Sequence, residues 1–342
     1  MKTAIHTDVS IFRELEPEWN LLVRRSTANL IFCTWEWQST WWHAYEAGEL
    51  FVVTCRDEEG RLIGIGPWFI QQVDGERVVR TIGCVDVTDY VDIIADREHT
   101  TAVFDALASV LAREVARYDR INLCNIPEAS PSYSQFPDKL RQHQFDADMI
   151  LQEVCPVIHL PSEWEGYLAM LDKKQRHEIR RKLRRAESEA VLEWVIIDHR
   201  HDFDAAVELF LSLVRKSQPA KAEFLNNRRN ETFFRQILHV GQRCGWLRLS
   251  FLYMDGRPTA AYCDFDYERH ILVYNSGLEP ELYAHLSPGI VLLAYNIRHA
   301  IETGHILYDF LRGNETYKYR MGAHDTRVYK LIARPSEPRA TK

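Results

Sequence analysis

No apolar run in these 342 residues approaches the length needed to cross a bilayer, so a membrane-spanning protein is not expected. The opening Met-Lys-Thr-Ala-Ile-His-Thr-Asp carries charge without an apolar core, which argues against a secretion signal. An excess of positive charge is also missing. The net charge is −7 and the pI near 6.1, which argues against extended nucleic-acid binding. The seven cysteines (Cys33, Cys55, Cys84, Cys124, Cys155, Cys244, Cys263) contain no C-x-x-C pair. An odd, scattered set beside apolar residues reads as buried free thiols in a reducing cytoplasm. A dinucleotide fingerprint is absent too. Gly64-Ile65-Gly66 is followed at once by Pro67 with no helix pattern behind it, so these glycines read as a bulge or a close backbone contact.

What is present is the composition of an ordinary soluble globular protein, 46% hydrophobic and 27% charged. Its length is enough for two domains with separate cores. In the first half, a strand at 4–9 and a helix at 10–25 precede Phe32-Cys33-Thr34-Trp35-Glu36-Trp37-Gln38-Ser39-Thr40-Trp41-Trp42. Thr34 can cap a helix there, and its aromatics on both faces suit packing between layers or a stacking wall for a substrate. Strands follow at 50–56, 62–71 and 78–83, with a polar turn at 57–60. Asp86, Asp89 and Asp92 stand at the end of that sheet, either to hold a polar acceptor or as solvated loop carboxylates. An amphipathic helix at 101–118, a strand at 121–126, a helix at 131–143 and an extended segment at 149–160 complete a mixed α/β order.

The joint falls near Pro156 and Pro161, after which helices are expected at 164–171 and 173–190. Residues 172–185 hold eight Lys or Arg against two acids, a local net of +6 that leaves −13 for the rest. Arg176, Arg180 and Arg184 recur every four residues, so they line one face. That face is either solvated or an anion site for a nucleotide-bearing donor or an acidic acceptor. A strand at 192–197 leads to Asp198-His199-Arg200-His201-Asp202, whose adjacent side chains rarely converge on one ion. Helices at 203–217 and 231–243 precede three strands at 246–254, 257–267 and 270–277, with Asp255-Gly256 as a hairpin turn.

The stretch 283–319 organises the second half. Ser287 suits an N-cap and Pro288 the first helical position. Ile290, Leu293, Ala294, Ile297 and Ile301 then recur at helical spacing until Gly304 stops the run. Free amides at such a mouth suit a phosphate. A short buried strand at 306–310 ends in Asp309-Phe310-Leu311-Arg312-Gly313, followed by Asn314-Glu315-Thr316-Tyr317-Lys318.

Ser-Pro-Gly opening a helix, then Asp-Phe-x-Arg-Gly-x-Glu-x-Tyr-Lys, resembles the CelD-type acetyltransferases of the GNAT superfamily, close to the Fem-type aminoacyl transferases that build peptidoglycan bridges. The likeness spans most of the chain, including the Trp-rich segment and the basic helix. After Lys318 the chain reads Tyr-Arg-Met-Gly where many relatives have Trp-Gly, a departure that bears on substrate preference more than on fold. The resemblance implies an α/β fold of mixed sheets: a tandem GNAT-like pair, with a degenerate unit at 1–158 and an acyltransferase unit at 159–342.

It further implies acetyl-CoA or another acyl-CoA as donor, no metal, and a small-molecule amine as acceptor. The acceptor would be an amino sugar or similar amine of polysaccharide or cell-envelope biosynthesis. Ser287, Pro288, Gly289 and Ile290 would hold the pyrophosphate, with Arg312, Arg176 and Arg180 as cations. Asp264, Tyr274 or Asp309 would take the amine's proton. Asp309, just past a buried strand, needs a positive partner such as Arg312 or Lys318, and Lys318 could instead touch the donor or the acyl carbonyl. Two alternatives stand beside this reading. One is a Fem-type enzyme using aminoacyl-tRNA, against which the acidic balance and the lack of a long heptad run count. The other is a non-catalytic ligand-binding module.

Overall fold

The computed structural model describes residues 1–84 and 87–336. In chain order the elements begin with β1 (Lys2–His6), α1 (Ser10–Arg25), α2 (Trp35–Tyr45), β2 (Glu49–Arg56), β3 (Leu62–Val73), β4 (Glu76–Thr81) and β5 (Ile94–Ala95). There follow α3 (Thr100–Arg113), β6 (Arg120–Pro127), α4 (Pro131–Ser134), α5 (Phe136–Gln142) and β7 (Phe145–His159). The second half adds α6 (Trp164–Met170), α7 (Lys173–Glu189), β8 (Leu192–Ile196), α8 (Phe203–Ser217), α9 (Pro219–Asn226) and α10 (Arg228–Arg243). It closes with β9 (Leu247–Met254), β10 (Arg257–Tyr267), β11 (His270–Leu278), α11 (Pro288–Glu302), β12 (Leu307–Asp309), α12 (Thr316–Arg320) and β13 (His324–Pro335).

Contacts divide the chain into two compact units, Met1–Glu153 with Thr326–Lys342, and Val154–Asp325. The division falls inside β7, a few residues before the joint suggested by Pro156 and Pro161, and β13 returns to the first unit. Strand order in the first unit runs β1-β2-β3-β4-β6-β13, with β13 set between β6 and β7. In the second it runs β7-β12-β11-β10-β9-β8. Each unit mixes pairings. β4 runs parallel to β6 and β11 parallel to β12, and the other registered strand pairs are antiparallel. The fold is therefore mixed α/β, as the element order predicts.

Separate cores fill the two units. In the first, α3 and α5 lay Phe104, Leu107, Leu111 and Phe136 on Phe51, Trp68 and Val79 of the sheet. Gly64 admits that helix, because a Cβ there would sit 2.4 Å from Val103 Cγ1. The close-contact reading of this glycine thus has its cause. The Trp-rich helix is packing, not a wall for a ligand: Trp37 and Trp41 are fully buried, and Trp41 leans on Tyr45 and Phe69. Thr34 caps it by accepting from Trp37 N. Asp92 is no solvated carboxylate either; it is buried and accepts from Ser130 Oγ and Ile93 N. Burial pushes its carboxyl up to about 6. Asp86 lies outside the described residues.

Two expectations fail here. Cys84 and Cys124, 40 residues apart in sequence, form a disulfide, so not every cysteine is a free thiol. Their approach comes from folding that brings the end of β4 beside β6, which no local spacing encodes. Helix α9 was also not expected. Pro219 opens it at the first helical turn, but its eight residues carry no strong apolar stripe, so periodicity does not show it.

The second unit packs α6, α7 and α11 over one sheet face through Ile179, Ala186, Val291, Leu293 and Ile297. On its other side α8 crosses β11 at Gly277, where a Cβ would lie 2.6 Å from Val214 N and 2.7 Å from the Leu213 carbonyl carbon. Both obstacles are backbone, which cannot rotate aside. Gly277→Ala should therefore destabilise the protein by about 3 kcal/mol, the upper range for overpacking, read as a lowered midpoint in urea with unchanged slope.

Candidate functional site

The mouth of α11 is built differently from an ordinary capped start. Ser287 holds a left-handed backbone, φ 56°, and its side chain makes no capping bond to the helix. Its carbonyl accepts from Ile290 N and Val291 N, while Pro288 has no N–H to offer. The Ser287 hydroxyl accepts instead from Lys182 Nζ, at 2.8 Å. The N-cap role expected of Ser287 is thus corrected. Left-handed geometry turns the hydroxyl away from the first turn and onto a lysine. Among the described residues Gly289 N–H has no backbone acceptor, and a Cβ at Gly289 would meet only Leu278 Cδ1, at 3.8 Å. One free amide, the positive end of the helix and one lysine converge at this point.

That mouth opens into a cavity of about 340 Å³, lined by Ser217, Gln218, Lys221, Tyr262, Ser276, Gly277, Leu278, residues 287–290 and Tyr317, among others. Its floor follows from strand lengths. β11 pairs with β12 only where 270–272 meet 307–309, so β12 does not extend alongside residues 273–278. Leu311, at φ 56°, then turns the chain away. Lys221 reaches this bare edge from α9. Its Nζ donates to Ser276 O at 2.6 Å and Asn275 Oδ1 at 3.0 Å, with a longer 3.4 Å approach to Ser276 Oγ. Burial lowers its pKa to about 8, against a weaker upward pull from Glu315. Tyr262 and Tyr317 stand opposite, and burial raises both phenols above the ordinary range.

A second cavity, about 290 Å³, shares Ile290 and Tyr317 with the first. Lys174, Lys182 and Arg320 supply its cations and Glu178 its acid. The sequence assigns this charge to the wrong members of the helix. At roughly 3.6 residues per turn, Ile179, Leu183 and Ala186 define the face turned to α11, and Lys182 sits among them. Arg180 and Arg184 point outward, Arg180 paired with Glu165, and neither they nor Arg176 line either cavity. The apolar residues between the arginines carried the signal.

The four proposed catalytic side chains are dispersed. Asp264 is fully buried beneath α11, where Asn296 Nδ2 and Tyr308 Oη approach its Oδ2 at 3.5 Å and its Oδ1 has no partner. Burial raises its carboxyl well above the carboxylate range, which favours the protonated form and disfavours a role as base. Tyr274 bulges from β11 opposite Cys263 and Asp264, and the space beside Asp264 is only about 20 Å³. Tyr274 packs between Phe234 and Phe265, on the side of α10 and away from α11.

Asp309 is buried and accepts from Leu311 N at 2.7 Å, bracing the turn. Lys318 is buried as well. Its Nζ donates to Arg312 O and Gly313 O, each at 3.0 Å, and pairs with Glu315 at 2.9 Å. Neither Asp309, Arg312 nor Lys318 lines the cavity. Of the expected residues, 287–290 gather at the cavity; Lys182, Lys221, Tyr262, Ser276 and Tyr317 join them unforeseen.

As for metal ligands, Asp198 is engaged by Arg200 and His201, and Asp202 caps α8 by accepting from Ala205 N. Asp96, Glu98 and His99 bring three ligand atoms together in the first unit, where Asp96 also pairs with Arg25. Among the described residues no helix is long and apolar enough to cross a membrane.

A bare strand edge leading to a helix mouth is the arrangement of a GNAT-type acyltransferase fold, and residues 173–319 match the family model described as the acetyltransferase (GNAT) domain. The matched residues lie within the second unit. No curated protein is similar enough in sequence to match the chain. Among solved structures, the chain is similar to FemX, with a TM-score of 0.65 at 10% identity, covering 96% of this chain and 97% of that one. It is also similar to the C-terminal domain of a putative lysylphosphatidylglycerol synthetase from Agrobacterium fabrum, with a TM-score of 0.54 at 11% identity over 94% and 92% of the two chains. L-PGS from Bacillus licheniformis follows, at 0.52 and 10% identity over 84% and 85%. At such identities the likeness is one of fold.

Proposed function

We propose that the second unit transfers an acetyl or other acyl group from acyl-CoA to an amine. The observation that carries this reading is the Gly289 N–H, without a backbone acceptor among the described residues, beside Lys182, at the mouth of a cavity floored by a strand edge that β12 does not reach. A diphosphate fits the helix mouth, where amide, dipole and ammonium all favour negative charge. The pantetheine arm, an extended chain of amides, suits the open edge of 273–278, as an added strand would. A thioester carbonyl at the end of that arm meets backbone donors, which oppose the charge that develops on its oxygen. The amine must be neutral when it attacks, so a bound ammonium must first lose a proton, and no enzyme-bound acyl intermediate is needed. An amino sugar of polysaccharide or cell-envelope biosynthesis is the acceptor class suggested by the CelD-type wording of the motif.

Thermal denaturation with acetyl-CoA, longer acyl-CoAs and free CoA tests the donor. At one hundred times its dissociation constant a ligand stabilises by about 2.7 kcal/mol. For a domain of this size that raises the melting temperature by roughly 5–10 °C. No shift with any of them would remove the reading.

A second reading is the Fem-type one that the sequence motif also raises, an aminoacyl group delivered on tRNA, and the fold likeness to FemX accords with it. The outward Arg180 and Arg184 would then meet phosphates. That reading requires tRNA binding that weakens steeply with salt, as counterion release demands; the acyl-CoA reading predicts none.

A further inference from the structure

We propose that Lys221 is the group that removes the proton from the acceptor amine, an inference that rests on the acyl-CoA reading. The carboxylates that sequence favours are unsuited: Asp264 is sealed beneath α11 and Asp309 braces a turn. Lys221 is the side chain on the cavity wall whose chemistry and position fit.

A neutral amine has two N–H groups and one lone pair. The two short bonds of Nζ, to Ser276 O and Asn275 Oδ1, account for both N–H groups, while Ser276 Oγ stands farther off, at 3.4 Å. The lone pair is left for the cavity, next to the strand edge where the thioester would lie. Among the described residues no carboxylate pairs with Lys221 to hold it as a cation. Glu279, on the cavity rim, is paired with Lys216, and Glu315 with Lys318. The other groups facing it are Ser217 and Gln218 at the end of α8, Tyr262 from β10 and Tyr317 from α12, of which the phenols stay neutral. Desolvation is therefore the main influence on its protonation, and it raises the fraction of free amine above that of an ordinary lysine.

The step balances without any further reactant. The acceptor's ammonium gives one proton to Lys221 Nζ. The amine nitrogen then bonds to the acyl carbon, the carbon–sulfur bond breaks, and the electron pair leaves with the CoA sulfur. The second proton on nitrogen passes to that thiolate. Lys221 returns its own proton to solvent.

Competitive labelling with acetic anhydride across pH 6–11, read by mass spectrometry peptide by peptide, tests this directly. Lys221 should become half-reactive near pH 8, against about 10.4 for an ordinary lysine, and acetyl-CoA should protect it. Titration in the ordinary range overturns the proposal, as does absent protection in a protein that acetyl-CoA stabilises. A wild-type protein that acetyl-CoA does not stabilise overturns the donor reading itself, a distinct result. Lys221→Met supplies the functional arm. It should keep the acetyl-CoA shift, lose roughly 10²–10⁴-fold in transfer to ethanolamine, and lose little with hydroxylamine, which is already unprotonated at neutral pH. Equal losses with both amines would overturn the assignment.

Discussion

Gly289→Asp should abolish the thermal stabilisation that acetyl-CoA confers while leaving the unliganded protein nearly unchanged. Both halves of this expectation follow from the helix mouth. An added Cβ has ordinary contact distance to Leu278 Cδ1 and meets nothing nearer, so the substitution costs no packing. Gly289 is also not among the residues with positive φ, so a side chain imposes no backbone strain. An acidic residue in the first turn even complements the helix dipole, which offsets the loss of any flexibility. With ligand the sign reverses. A carboxylate about 4 Å from a phosphate, at an effective dielectric constant near 20, opposes binding by about 4 kcal/mol per charge pair. That is roughly a thousandfold in affinity. Calorimetric titration and thermal denaturation of the same variant separate the two terms. A stable Gly289→Asp protein that still binds acetyl-CoA would place the diphosphate elsewhere. Gly289→Ala is the matched control and should bind within a few-fold of wild type.

The same glycine shows what the sequence makes legible. The start of α11 at Pro288, the apolar periodicity behind it and the short strand that follows are local signals, and each is realised within a residue or two. Fold class is likewise readable, because alternation and helical period survive in most segments. The chemistry is less so. Lys182 is hidden inside a run of eight basic residues, and only its place beside Ile179, Leu183 and Ala186 distinguishes it. Lys221 belongs to a helix without a marked apolar stripe and meets β11 across 54 residues of chain. Nothing in its neighbours announces that contact. Asp264 misleads in the opposite way. Strand alternation places it on the same face as Tyr262, but depth along the strand, not face, decides whether a carboxyl reaches a cavity or is sealed beneath a helix. The failures lie in tertiary placement, where period and propensity carry no information.

Lys318→Met should lower the melting temperature by roughly 6–20 °C, corresponding to about 3–5 kcal/mol. Lys318 stands in a motif whose wording suggests chemistry, yet its ammonium is only 2% exposed as a residue and its protons are directed to main-chain carbonyls. Those carbonyls belong to a turn that cannot satisfy itself. Leu311 and Gly313 both take positive φ, which aims Arg312 O and Gly313 O inward, away from any helix or strand. Gly313, at φ 114°, holds a backbone that side chains rarely adopt, so the turn also needs that glycine. Methionine fills the volume of lysine's stem and deprives both part-buried carbonyls of the ammonium donor, at about 1–3 kcal/mol each. The turn ends β12, and its departure is what leaves residues 273–278 of β11 open. Loss of the lysine should therefore weaken acetyl-CoA binding together with stability. A lysine acting on the acyl carbonyl would behave otherwise: Lys318→Met would then melt as wild type does and lose turnover alone. Denaturation and acetyl-CoA titration of one variant decide between brace and catalyst.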